Sequence, residues 1–230
     1  MTDGAISNRP AEEKIIRLRL NELHLFKGYS ALNGIMPRNQ PYLVRDEDPS
    51  MVRLIARIKA RGVRQPALVR PDPEGGYEII DGHRRYRASE LSEHPDMPVI
   101  IRDLSDEEAV AEMVDGNVQR ENVLPSERAW AYRMYLEAEK KRAGRPAKNS
   151  PKFSANFRSD DEIGKSLGIS GDTLRNYIQL TELRQELMDK VDAQEIGLTI
   201  AYQIAALTKD EQMLLLDAME SVSYTHLRAH

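Results

Sequence analysis

The chain contains no cysteine in its 230 residues, and that absence removes disulfides, thiolate nucleophiles and zinc–cysteine sites together. Any metal would have to be held by oxygen or imidazole ligands. No apolar run approaches the length that crosses a bilayer, and the opening stretch MTDGAISNRPAEEK lacks the charged-then-apolar layout of a secretory signal. A cytoplasmic protein without membrane partners is expected. The formal net charge is -4, so the molecule as a whole lacks the basic field of a nonspecific nucleic-acid binder. The other histidines, His24, His94, His226 and His230, show no ligand spacing with His83, and no internal repeat is present.

What is present divides the chain. Its length and 40% hydrophobic content allow two modest domains. Residues 1–17 read as a flexible lead-in. A first strand is expected from Leu18 to Phe26, and then a helix opened by Asp48 or Ser50 and stopping near Gly62, with Met51, Leu54, Ile55 and Ile58 at helical spacing. QPALVR and GYEII read as strands joined by the turn residues DPEGG. HRRYRASEL returns to a helical pattern, MPVIIRDL gives a strand, and SDEEAVAEMVDGN gives a helix with acids in its first turn. A long helix from Pro125 to about Lys141 closes this half. Lys140 to Arg158 then carries Lys140, Lys141, Arg142, Arg145, Lys148, Lys152 and Arg158 without an acid, a basic linker assigned to residues 143–158. Its Gly-Arg-Pro core has a weak likeness to a minor-groove hook.

Beyond the linker only helix patterns follow. SDDEIGKSLGISGDTLRNYIQL fits a helix-turn-helix, with Ile163 and Leu167 on one inner face, Gly164 at a close approach and Gly168 at the turn. Ile169, Leu174 and Tyr177 or Ile178 would supply the second inner face, and Ser170 or Asp172 would cap. SVSYTHLRAH, residues 221–230, breaks the helical pattern and reads as a non-native tail.

The chemistry concentrates in two places. Gly82 and a helix opening at His83 would aim free N–H groups at an anion, with Arg84, Arg85 and Arg87 adding forked donors suited to phosphate. A solvated, salt-bridged helix face explains the same residues, and spacing alone does not choose. In VDGNVQREN, Asp115 and Asn117 could hold magnesium beside phosphates, or form only a polar helix end.

The ordered set GVRQPALVR, GHRRYRA and GNVQREN, followed by LPSERAWAY and the helix-turn-helix, resembles the ParB-type partition proteins over roughly residues 18 to 207. The resemblance implies an α+β N-terminal ParB/sulfiredoxin-like domain (18–142) followed by an all-α helix-turn-helix domain (159–220), working as a homodimer. It implies CTP binding with Mg2+, and by position it nominates Gln65, Gly82, His83, Arg84, Arg85, Asn117 and Arg120 for the nucleotide, and Asn117 with Asp115 for the metal. His83 and Gly116 stand where the family commonly has glutamate. The second of these is a metal ligand there, so nucleotide binding is expected and catalysis reduces to weak CTP hydrolysis at most, with no catalytic residue assigned. The implied partners are double-stranded DNA bearing a palindromic centromere-like site and a ParA-type ATPase, although no activating N-terminal segment is recognisable. Ser170 near the phosphates, with Thr173, Arg175, Asn176 and Gln179 on the outer side of the second helix, is chemically able to read the major groove. A nucleoid-associated location follows. The competing readings are a transcriptional or nucleoid-occlusion regulator without the nucleotide switch and a small-molecule kinase of the same fold.

Overall fold

A computed structural model describes residues 14–118, 120, 122–144 and 160–227. The chain packs as two units. The first takes the residues up to Lys27 together with Val44–Leu104, and the second takes Gly28–Leu43 and everything from Ser105 onward.

The first unit is a five-stranded mixed sheet with two helices. Its strands are β1 (Ile15–Arg19), β2 (Leu23–His24), β3 (Ala67–Pro71), β4 (Tyr77–Asp81) and β5 (Asp96–Ile101), in the spatial order β1-β5-β3-β4-β2. β3 lies antiparallel to β4 and parallel to β5, β1 is antiparallel to β5, and β2 is parallel to β4. The helices are α1 (Pro49–Arg61) and α2 (His83–Leu91). Alternation in β3 buries Ala67 and Val69, and these meet Met51 and Ile58 of α1, Ala88 of α2, and Met97 and Val99 of β5 in one core. α1 begins at Pro49, where a missing N–H costs nothing, and ends as the Gly62 N–H bonds the Ile58 carbonyl at 2.7 Å.

Two sequence expectations change here. The single strand from Leu18 to Phe26 is instead β1, one turn of 3-10 helix at Leu20–Glu22, and β2. Apolar residues recur along the whole stretch, but the break carries the chain from one margin of the sheet to the other, so no single strand can occupy both. The flexible lead-in also ends earlier than residue 17, because Ile15 and Ile16 pair with Ile100 and Val99.

The second unit is helical: α3 (Asp106–Val118), α4 (Pro125–Gly144), α5 (Asp160–Ser166), α6 (Gly171–Leu180), α7 (Gln185–Asp192), α8 (Leu198–Ala205) and α9 (Lys209–Leu227). Its core joins Ala129 of α4 to Leu180, Leu187, Val191, Ala201 and Leu216. Around it, Tyr132, Tyr177 and Tyr202 stack edge to face with centroids 5.6 and 6.3 Å apart. Ser105 and Glu108 close a reciprocal cap at α3, the Ser105 N–H donating to Glu108 Oε2 at 2.9 Å and the Glu108 N–H to Ser105 Oγ at 3.3 Å. Buried Gln212 accepts from the Arg184 N–H at 2.8 Å and donates to the carbonyls of Glu182 and Leu207.

The dividing line between the units differs from a domain running over 18–142. α3 and α4 pack with the helices that follow them, because α4 offers buried Ala129 to the helical core and Ser126 donates to Asp192 of α7 at 2.9 and 2.5 Å. Glu127 draws the Gly28–Leu43 stretch into the same unit, accepting from the N–H groups of Leu43 at 2.7 Å and Leu124 at 2.9 Å. The linker expected at 143–158 lies outside the described residues from position 145. α9 continues to Leu227, past the helical limit expected at Glu220, because nothing in SVSYTHL forbids one helix from running on through it.

Candidate functional site

The first candidate grows from the end of β4. After Asp81 the chain turns at Gly82, whose φ of 111° is left-handed, and α2 starts at His83. A Cβ at position 82 would sit 2.7 Å from the Ala67 Cβ, so both the backbone angle and the space demand glycine. The sequence-nominated arginines now separate. Arg87 makes a forked pair with Asp46 at 3.1 and 2.6 Å and reaches Glu90 at 3.3 Å, which is the salt-bridged face of the blander expectation. Arg85 donates to Asp81 Oδ2 at 2.5 Å, to the Gln65 carbonyl at 3.0 Å and to the Pro66 carbonyl, fastening α2 to the entry of β3. Arg84 donates to Ser50 Oγ at 2.7 Å.

His83 is buried, with 9% of its surface exposed, and its Nε2 finds no partner among the described residues. Burial depresses its pKa to about 4, and the charge of Arg85 pushes the same way against the opposing pull of Asp81. It is therefore a neutral imidazole at neutral pH.

Arg84 and Arg85 line a cavity of about 460 Å³. Its other polar wall is Gln65, Arg57, Arg61 and Arg64, and its apolar surface comes from Leu54, Ile58 and Val63. Among the described residues, no carboxylate lines it. Of the nominated nucleotide residues, Gln65, Arg84 and Arg85 thus share one cavity, with Gly82 and His83 at the turn that sets α2 beside it. Arg57, Arg61 and Arg64 were not singled out in the sequence. The available signal was Arg53, Arg57 and Arg61 at four-residue steps on an α1 that holds no acid.

Asp115, Asn117 and Arg120 lie in the second unit, at the C-terminal end of α3. Asn117 is 8% exposed, and both ends of its amide are engaged: Nδ2 donates to the Met113 carbonyl at 2.8 Å, and Oδ1 accepts from Arg120 at 2.8 Å. Desolvation raises the Asp115 pKa, with the negative charges of Glu112 and Glu139 adding to it. Among the described residues no three His, Asp or Glu side chains come together to hold a metal. With Asn117 Oδ1 already turned toward a guanidinium, the residues present do not fit a ready-made magnesium cage.

The second candidate is the α5–α6 pair, joined over Leu167–Ser170. Ile163, Leu167 and Leu174 are buried where the sequence pattern puts them. A Cβ on Gly164 would lie 2.9 Å from the Ile169 carbonyl oxygen, so the close approach expected there is real. Ser170 caps α6, its Oγ accepting from the Thr173 N–H at 3.1 Å and lying 2.8 Å from the Thr173 hydroxyl. Arg175 pairs with Asp172 at 2.5 Å and Asp160 at 3.3 Å, while its side chain stays half exposed. The side chains of Asn176 and Gln179 make no hydrogen bond among the described residues, so their amides are open to a ligand.

Residues 31–118 match the ParB N-terminal domain family. The probable chromosome 1-partitioning protein ParB of Deinococcus radiodurans is 32% identical over 165 residues, 72% of this chain and 50% of that protein. A nucleoid occlusion protein of Listeria monocytogenes is 31% identical over 186 residues, 80% of this chain and 58% of its own length. The chain thus spans little more than half the length of these relatives. Among solved structures, the C-terminally truncated chromosome-partitioning protein ParB of Caulobacter crescentus, complexed to the centromeric parS site, is similar with a TM-score of 0.50 and 23% identity. The likeness covers 84% of this chain and 86% of that one and shows a shared fold.

Proposed function

The chain belongs to the ParB-type partition protein family, and from that premise we propose that it is a CTP-dependent, sequence-specific DNA-binding partition protein of a chromosome, plasmid or mobile element. The observation that carries the nucleotide half is the cavity between α1 and α2, of small-ligand size, with arginines and no acid among the described residues of its wall. In this reading Gln65, Gly82, Arg84 and Arg85 hold the nucleotide, and Asn117 and Arg120 are nominated by family position alone. His83, neutral and with Nε2 unpartnered among the described residues, stands at the Gly82 turn beside the cavity as a further candidate donor or acceptor. Any magnesium would come with the triphosphate, whose oxygens would supply most of its ligands; binding, with hydrolysis weak at most, is the proposed activity.

The DNA half rests on α6. Capped by Ser170 and seated on Leu174, it leaves Asn176 and Gln179 open for adenine edges and Arg175 for guanine or phosphate, with Thr173 beside them. A homodimer on a palindromic centromere-like site is the geometry that suits such a reader. A ParA-type ATPase remains the partner expected by family alone. The nucleoid occlusion relative favours a second reading, a DNA-bound regulator of the same architecture, and Gly116 in place of the family's acid agrees with one that has lost the switch.

Titrating the protein with labelled CTP, ATP and GTP, with and without magnesium, tests the first reading. CTP binding without comparable ATP or GTP binding supports it, and tight ATP binding with no response to CTP rejects it in favour of the kinase.

A further inference from the structure

α1 carries a cationic stripe that its own helix does not neutralise. Arg53, Arg57 and Arg61 follow one another at four-residue steps, where like charges repel, and no acidic residue lies between Pro49 and Arg61. Several other exposed arginines are matched: Arg17 with Asp96, Arg87 with Asp46, Arg133 with Glu182 and Arg142 with Glu139. Arg57, Arg61 and Arg64 have no hydrogen bond or ion pair among the described residues, although all three line the cavity. The two nominated arginines are differently placed. Arg85 spends its charge on Asp81 and its remaining donors on two carbonyls, and Arg84 is held by Ser50. The positive charge left uncompensated around this hollow therefore comes chiefly from α1 and the residues just after it.

We propose that Arg57 and Arg61 are specificity-determining residues for the anionic ligand of this cavity, and that through them its affinity depends steeply on the number of phosphates the ligand carries. The inference rests on the nucleotide reading above and extends it to the α1 wall. A concave site of about 460 Å³ with Leu54, Ile58 and Val63 on one side suits a ligand that joins an apolar ring to a polyanion. Two forked, permanently charged side chains one helical turn apart grip successive phosphates better than a single one. The triphosphate is then the preferred occupant and the monophosphate a poor one.

Calorimetric titration of the full chain with CTP, CDP and CMP tests this, comparing wild type with Arg57→Gln, Arg61→Gln and the double variant. The double variant is expected to lose roughly ten- to hundredfold in CTP affinity, the loss of one or two charge-assisted contacts, and much less for CMP, so that the preference for the triphosphate flattens. Arg57→Lys/Arg61→Lys, which keeps the charge without the fork, should retain part of that preference. Because the two side chains hold nothing in the fold, the melting temperature should be unchanged or slightly higher. Wild-type CTP binding that the double variant retains in full, with its phosphate preference intact, overturns the inference and leaves the nucleotide reading standing. If wild type binds no nucleotide, that reading fails, and inorganic tripolyphosphate becomes the probe. Binding of it that the double variant loses preserves a polyanion site on α1, and no binding overturns both. Loss of duplex DNA affinity in the double variant with CTP binding unchanged assigns the stripe to DNA and also overturns the inference.

Discussion

His83 turns burial into a measurable pH dependence. In the unfolded chain its imidazole takes a proton near its ordinary pKa of 6.5, whereas in the folded protein it resists protonation down to about 4. Between those values the unfolded state binds the extra proton, so stability rises with pH through this window and falls as the solution is acidified. The full gap corresponds to about 3 kcal/mol, and by pH 5 about 2 kcal/mol of it is already lost. Urea unfolding at pH 7, 6 and 5, followed in wild type and in His83→Gln, isolates this contribution because the carboxylates titrate in both proteins and cancel. The variant is expected to start less stable at pH 7, having lost the ring's packing, and then to lose about 2 kcal/mol less than wild type on going to pH 5. Parallel pH profiles would refute the reasoning and mean that the ring becomes hydrated or finds a proton-accepting partner. A nucleotide that hydrogen-bonds Nε2 should shift the wild-type profile and leave that of the variant where it was.

Four further outcomes follow from the packing. Gly82→Ala should destabilise the first unit by roughly 2–4 kcal/mol, the sum of left-handed strain and a clash with Ala67, and pairing it with Ala67→Gly should restore only the clash component in denaturant titration. Gln212→Leu should cost about 1–3 kcal/mol in a thermal or urea melt, because the Arg184 N–H and two carbonyls lose a buried partner. Ser170→Ala should cost about 1 kcal/mol of stability in the second unit through loss of the α6 cap, seen as an earlier urea midpoint. Asn176→Ala should weaken binding to the cognate DNA site by roughly 1–3 kcal/mol while leaving nonspecific binding at low salt intact in a competition assay, and equal losses on both would mean that Asn176 does not read bases.

Much of this was legible in the sequence where one local signal decides the outcome. Asp48 before a 3.6-residue pattern and glycine after it bound α1, and DPEGG set the β3–β4 hairpin. Ser170 announced the α6 cap, and the buried faces of α5 and α6 followed their spacing. What stayed hidden depends on long-range geometry. Leu18–Phe26 reads as one strand because propensity knows nothing of which edge a strand joins. α3 and α4 read as part of the preceding domain because proximity in the chain is not proximity in the core. The α1 arginines belong to no motif, and only the fold carries them to the Gly82 turn. Conversely, three arginines in a row of motif positions looked equivalent, and only partners such as Asp46 and Asp81 distinguish them.

A short segment near the start of the chain, Ile15 to His24, supplies both outer strands of the sheet, one against β5 and one against β4. During synthesis these residues emerge before the rest of the sheet, yet β1 has nothing to pair with until residues 96–101 have left the ribosome. The earliest-made strand of the first unit is consequently among the last to be seated, and until then that flank of the sheet stands open to foreign strands.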